Sequence, residues 1–249
     1  MSACRWVSMG LAIVLVAGCA TTDDRRFEGS LDEAARINTQ LGAAYMEQGQ
    51  LQVAREKLVR ALEQNSSYAP AHTAMAELQV RLGDTEKADE HYKRSIRLDA
   101  DNPETRNNYG VFLCDQGRWR DAERQFIRAA RDRDYSTPEY AYANAGVCAR
   151  ISEDDQKAEE FFQQALRVNP GFHSALLEMA ELKYDQGEPA ASRQFLQRYH
   201  QVVRPTARSL WLGVRTEREL GDREREREYA RRLREHFPDS RETRQLGGS

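Results

Sequence analysis

Long apolar runs are scarce in this chain of 249 residues. The longest, Trp6 to Ala17 with Ser8 interrupting it, is about a dozen residues, whereas a helical membrane span takes about 20. No segment alternates apolar and polar residues with period two, and β-branched residues are sparse, which argues against sheet. There is no glycine-rich phosphate loop and no Gly-x-Ser-x-Gly elbow. The histidines His72, His91, His173, His200 and His236 are scattered, with no pair at metal-ligand spacing, so neither metal nor cofactor is expected. Acid pairs such as Asp154-Asp155 and Glu159-Glu160 fall at a turn and on a helix face, where solvation explains them. Charge of one sign is also missing. Lys and Arg number 37 against 40 Asp and Glu, the signs are interspersed, and no basic stripe argues for nucleic acid. Even Gly221 to Arg234 alternates Glu with Arg, as a solvated helix face does. These absences point away from an enzyme, from nucleic acid and from a small-molecule substrate.

What remains is rich in Ala, Glu, Arg, Gln and Leu, a helical composition. Self-comparison finds a 34-residue window starting at Ala35, restarting at 69 and 103, then at 139 after two extra residues, then at 173 and 207. The eighth position holds Gly42, Ala76, Gly110, Gly146, Ala180 and Val214. The twentieth holds Ala54, Ala88, Ala122, Ala158, Ser192 and Glu226, and the twenty-fourth Leu58, Tyr92, Phe126, Phe162, Leu196 and Ala230. Small residues beside one large apolar residue are what a tight helical hairpin needs where its helices cross. Gly49, Gly83, Gly117, Gly187 and Gly221 occupy the fifteenth position, where the first helix must stop; the fourth window has Glu153 there. Pro70, Pro103, Pro138, Pro170, Pro205 and Pro238 lie at or near junctions, and Pro189 falls at the start of a second helix, where its missing N–H costs nothing. Leu41-Gly42-x-x-Tyr45 with Ala54 and Ala61 resembles the tetratricopeptide pattern over roughly residues 35–240. The resemblance implies an all-α fold, a tetratricopeptide-repeat superhelix (α-solenoid) of six helix pairs. The sixth window departs at positions eight and twenty, as a capping repeat does.

Upstream, one early charge, Arg5, and the apolar run suit a signal peptide. The run ends in Val16-Ala17-Gly18-Cys19, which resembles the lipobox of bacterial lipoproteins; the alternative is a buried apolar helix with an incidental cysteine. The resemblance implies that Cys19 carries a diacylglyceryl thioether and an N-acyl chain, and two chains already anchor a protein stably. Ala20 rather than Asp follows it, which implies the outer membrane. The expected organisation is therefore a signal peptide at 1–18, a lipidated N-terminus and polar tether at 19–34, six repeats at 35–68, 69–102, 103–136, 139–172, 173–206 and 207–240, and a polar tail at 241–249.

Cys4 leaves with the signal, so Cys114 and Cys148 remain. They stand at positions twelve and ten of adjacent windows, in first helices that a solenoid places side by side. Two residues turn a helix by about 200°, so on parallel neighbours the two side chains can face each other. A disulfide is predicted in an oxidising compartment, with two buried thiols the alternative. For a loop of this length the bond would contribute roughly 3–4 kcal/mol.

Asn107-Asn108-Tyr109-Gly110-Val111-Phe112-Leu113-Cys114-Asp115-Gln116-Gly117 and Tyr142-Ala143-Asn144-Ala145-Gly146-Val147-Cys148, with the lipobox and six repeats, are similar to the type IV pilus biogenesis lipoproteins of the PilF/PilW family. The resemblance implies a pilotin that helps the secretin, the outer-membrane ring through which the pilus emerges, to localise and multimerise. First helices line the concave face of such a stack, and Asn107, Asn108, Tyr140 and Asn144 are expected there in the central repeats. Their amides suit a partner's backbone, or equally the polar groups of neighbouring turns. Lipoproteins of outer-membrane protein assembly and periplasmic protease adaptors share this architecture and are the alternative function; an enzyme of cell-wall metabolism has no motif to support it.

Overall fold

The computed structural model describes residues 21–247, and side chains from residue 30 onward. The signal peptide expected at 1–18 and the lipidation expected at Cys19 lie outside the described residues. These residues form thirteen α-helices and no strand. Twelve make six hairpins: α1 (Thr21–Glu47) with α2 (Leu51–Gln64), α3 (Ala69–Leu82) with α4 (Thr85–Leu98), and α5 (Pro103–Asp115) with α6 (Trp119–Ala130). Then come α7 (Pro138–Ile151) with α8 (Asp155–Val168), α9 (His173–Asp185) with α10 (Pro189–Val202), and α11 (Ala207–Glu219) with α12 (Arg223–His236).

Each hairpin closes on one contact. At Gly42, an added Cβ would lie 2.6 Å from Leu58; at Gly110, 2.6 Å from Phe126; at Gly146, 2.5 Å from Phe162. Only a residue without Cβ lets these large side chains lie against the first helix, and Leu58, Phe126 and Phe162 are almost wholly buried there. The second and fifth repeats place Ala76 and Ala180, both buried, opposite Tyr92 and Leu196. In the sixth repeat the approach is made by Gly213 against Tyr229, at 2.7 Å, one residue earlier than the window positions of Val214 and Ala230. The turn between the helices takes a left-handed residue, a glycine with φ between 71° and 79° in five repeats and Glu153 at 62° in the fourth. Asp84, Asp154 and Asp222 cap the following helix by accepting from the backbone N–H of Lys87, Lys157 and Arg225.

Two segments differ from expectation at the ends. The polar stretch read as a tether is helical from Thr21 and continuous with the first repeat helix. Extending an established helix by further turns avoids the cost of nucleation. The tail begins with a short helix, α13 (Arg241–Gln245), which packs on α11 and α12. Ser240 caps it by accepting from Thr243 N–H, and the Thr243 hydroxyl donates back to the Phe237 carbonyl.

Successive first helices touch: α1 meets α3, α5 meets α7, α7 meets α9 and α9 meets α11. No two second helices share an extensive contact among the described residues. The stack therefore curves with first helices inside and second helices outside. On the inside, Cys114 of α5 and Cys148 of α7 are joined in a disulfide with Cα atoms 5.8 Å apart.

Candidate functional site

Helical period decides which first-helix side chains are left over for a partner. One stripe of each first helix packs on its own second helix and another on the neighbouring repeat; the third looks into the concave face. In α5 and α7 that third stripe carries Asn108 and Asn144, and one turn further on Val111 and Val147.

The asparagines form a ladder between helices. Asn108 Nδ2 donates to Glu77 Oε1 of α3 at 2.7 Å, and Asn144 Nδ2 donates to Asn107 Oδ1 at 3.0 Å. All four residues are half-buried. Burial pushes the Glu77 carboxyl up, opposed by the Asn108 amide that donates to it. The ladder thus satisfies polar groups of three adjacent repeats, and the Asn144 carbonyl oxygen is left without a donor among the described residues. Tyr140 stands apart from it: its ring is about half exposed and lies edge-on to Phe172, with centroids 4.7 Å apart.

Beside the ladder runs an apolar strip that the sequence reasoning missed. Val111 is 39% exposed, Val147 36% and Ile151 55%. Val111 and Val147 share the ninth window position, which elsewhere holds Ala43, Glu77, Glu181 and Arg215. That local change from charged or small to branched apolar was the available signal. Ile37, Leu41 and Val59, at the edge of the first repeat, are exposed apolar residues as well.

Toward the C-terminal end the inner face is charged and internally neutralised. Arg150 Nη2 reaches Asp185 at 2.7 Å and its Nη1 reaches Glu178 at 3.3 Å. Arg208 binds Glu178 at 2.8 Å and also Glu181, while the Arg215 guanidinium lies 4.1 Å from the centre of the Tyr184 ring. One network so spans repeats four to six. A guest segment there would have to displace ion pairs, whereas over repeats three and four it meets amides and exposed valines.

Folding also pairs two histidines that the sequence separates. His72 and His91 approach with Nδ1 atoms 2.9 Å apart, and His72 Nε2 lies 3.1 Å from the Ser66 carbonyl. Burial lowers both pKa values. No third metal-ligating residue joins them, and no group of three or more such residues occurs among the described residues. Nor is any described helix long and apolar enough to cross a membrane.

A tetratricopeptide-repeat family profile matches residues 39–103 and 113–171. The type IV pilus assembly protein PilF of Pseudomonas aeruginosa is 32% identical over 235 residues, 93% of either chain. The solved structure of Pseudomonas aeruginosa PilF superposes with a TM-score of 0.76, covering 88% of this chain and 99% of that one. PilW, described as a widely conserved type IV pilus biogenesis factor, gives the same TM-score at 28% identity, covering 85% of this chain and 97% of its own. With fold and sequence in agreement along nearly the whole length, the chain belongs to the PilF/PilW family of tetratricopeptide-repeat proteins.

Proposed function

We propose that this chain is a non-catalytic, lipid-anchored pilotin of the outer membrane, facing the periplasm. In this reading Cys19 carries the anchor, and the inner face of repeats three and four holds a segment of the type IV pilus secretin, promoting its outer-membrane localisation and multimerisation. Membership of the PilF/PilW family supports the pilus assignment. The observation that carries the docking site is the exposed strip Val111, Val147 and Ile151 beside the amides of Asn108 and Asn144. A partner segment would bury the strip with apolar side chains and bond the amides with its backbone. Tyr140, in the first turn of α7, would border the same segment.

The test is complementation of a deletion strain, scored by heat-resistant secretin multimers in outer-membrane fractions and by twitching. Val111→Asp with Val147→Asp is expected to abolish the multimer, and Ile37→Asp with Leu41→Asp to leave it. The reverse outcome would move docking to the first-repeat edge. Normal multimers in the deletion itself would refute the secretin as partner. Asn108→Ala and Asn144→Ala, assayed by secretin pull-down, decide whether the ladder contacts the guest or only holds the repeats together. Cys19→Ser is expected to release the protein from the membrane fraction.

A further inference from the structure

Many guanidinium groups of the last two repeats are neutralised internally, such as Arg193 by Glu217, Arg218 by Glu226 and Arg231 by Glu228 and Glu235. The outer side of repeat three is different. Arg120, Arg124 and Arg128 recur every fourth residue along α6, which sets them on one ridge about 6 Å apart along the axis. Arg97, Arg120 and Arg128 are exposed and have no carboxylate in ion-pair range among the described residues. The ridge divides two shallow troughs. One, toward α4, is lined by Lys93, Arg97 and Arg124 with Ile96; the other, toward α8, by Arg120, Arg128 and Lys157 around Ile127. The acids among them are already engaged, Asp121 by Arg118 and Arg124, and Glu123 by Lys157. A net positive surface remains on a chain whose overall charge is −3.

We propose that this outer face of repeat three docks on a bilayer surface rich in anionic phospholipid headgroups. The cations sit on long flexible stems spread over two open troughs on the convex side of the stack. That arrangement adapts to a mobile array of phosphates. The troughs offer no backbone groups to pair with a peptide strand, since α4, α6 and α8 keep their own hydrogen bonds. Trp119, at the start of α6, is about a third exposed beside the ridge, and its amphipathic ring suits headgroup depth. The surface lies on the opposite side of the stack from the inner strip, so it holds or fails independently of the secretin assignment.

The test uses the full chain carrying Cys19→Ser, sedimented with vesicles of phosphatidylethanolamine containing about one-quarter phosphatidylglycerol, and with vesicles containing phosphatidylcholine instead. Any contribution of the apolar run Trp6 to Ala17 is common to both, so the difference between them reports the ridge. The Cys19→Ser chain with its ridge intact is expected to prefer the anionic vesicles, and to lose that preference at about 0.5 M salt. Arg97→Gln/Arg120→Gln/Arg128→Gln breaks no ion pair, and is expected to weaken anionic binding on the order of 100-fold with an unchanged melting temperature. The corresponding triple lysine variant keeps the charge and retains binding. Equal binding to neutral vesicles, or an unaffected glutamine variant, overturns the proposal. Binding of soluble polyglutamate that the glutamine variant loses, with no binding to the anionic vesicles, overturns it too and reassigns the ridge to an acidic protein.

Discussion

Gly146→Ala would put a methyl group where α7 crosses α8. Its carbon would lie 2.5 Å from Phe162 Cε1 and 2.6 Å from Cδ1, roughly an ångström inside ordinary contact. Phe162 is fully buried among Ala143, Ala158 and Ala165, so its ring cannot swing into solvent. Against that stands the helical preference for alanine over glycine, about 1 kcal/mol. Overpacking of a close-packed site costs about 1–3 kcal/mol, so the net expectation is a loss of about 1 kcal/mol. Phe162→Leu alone should cost about 1–2 kcal/mol through the space it leaves. The double variant recreates the Ala180 and Leu196 pair of the fifth repeat and should lose less than the sum, with a coupling of at least about 0.5 kcal/mol. Denaturant midpoints of the four proteins measure all of this. A Gly146→Ala protein stabilised by the full helical preference, with no coupling to Phe162→Leu, would refute the crossing as the organising contact.

Other consequences are simpler. Glu153→Gly should raise stability by about 0.5–1 kcal/mol, because the residue sits at φ 62° where the other repeats place glycine; a lowered denaturation midpoint would contradict this. Reduction of the Cys114–Cys148 bond should cost roughly 3–4 kcal/mol and lower the thermal midpoint, and two reactive thiols in denatured, unreduced protein would show the bond absent in solution. Burial holds His200 down at about 4, with Arg232 adding to the effect. The unfolded chain therefore takes up this proton first: the stability is complete above about 6.5 and is lost as pH falls toward 4, with a slope below about 1.4 kcal/mol per pH unit. His200→Gln should flatten the dependence between pH 6.5 and 5, and identical slopes in both proteins would remove His200 as the cause.

Period and punctuation carried the sequence reading through the first five repeats because the crossing and the turn are steric demands on single residues. Gly42, Gly110 and Gly146 had to be small, and the fifteenth position had to turn left-handed. The sixth repeat defeated the same reading. Gly221 kept the turn in register, while Gly213 and Tyr229 moved the crossing one residue earlier. A window tied to the turn then put Val214 and Ala230 where the contact was expected. The asparagines were findable because they share a window position with a solvent-facing stripe, yet their mutual bonds depend on neighbouring helices packing within reach. The valines beside them were passed over, since single apolar residues on a helix normally read as core. The arginine ridge was invisible for another reason. Along the chain Arg120, Arg124 and Arg128 alternate with Asp121 and Glu123, and only the winding of α6, with those acids engaged sideways, leaves one sign facing outward.

The covalent tie between α5 and α7 has a mechanical consequence. A solenoid behaves as a spring, and its compliance resides in the small slides between neighbouring coils. Stitching the third coil to the fourth along the inner edge takes that joint out of the spring. Stretching or twisting must then be absorbed by the end coils and along the outer edge, where second helices scarcely touch. The spacing between Val111 and Val147 should stay constant under load, so a guest lying across them would feel an unchanging template while the ends breathe.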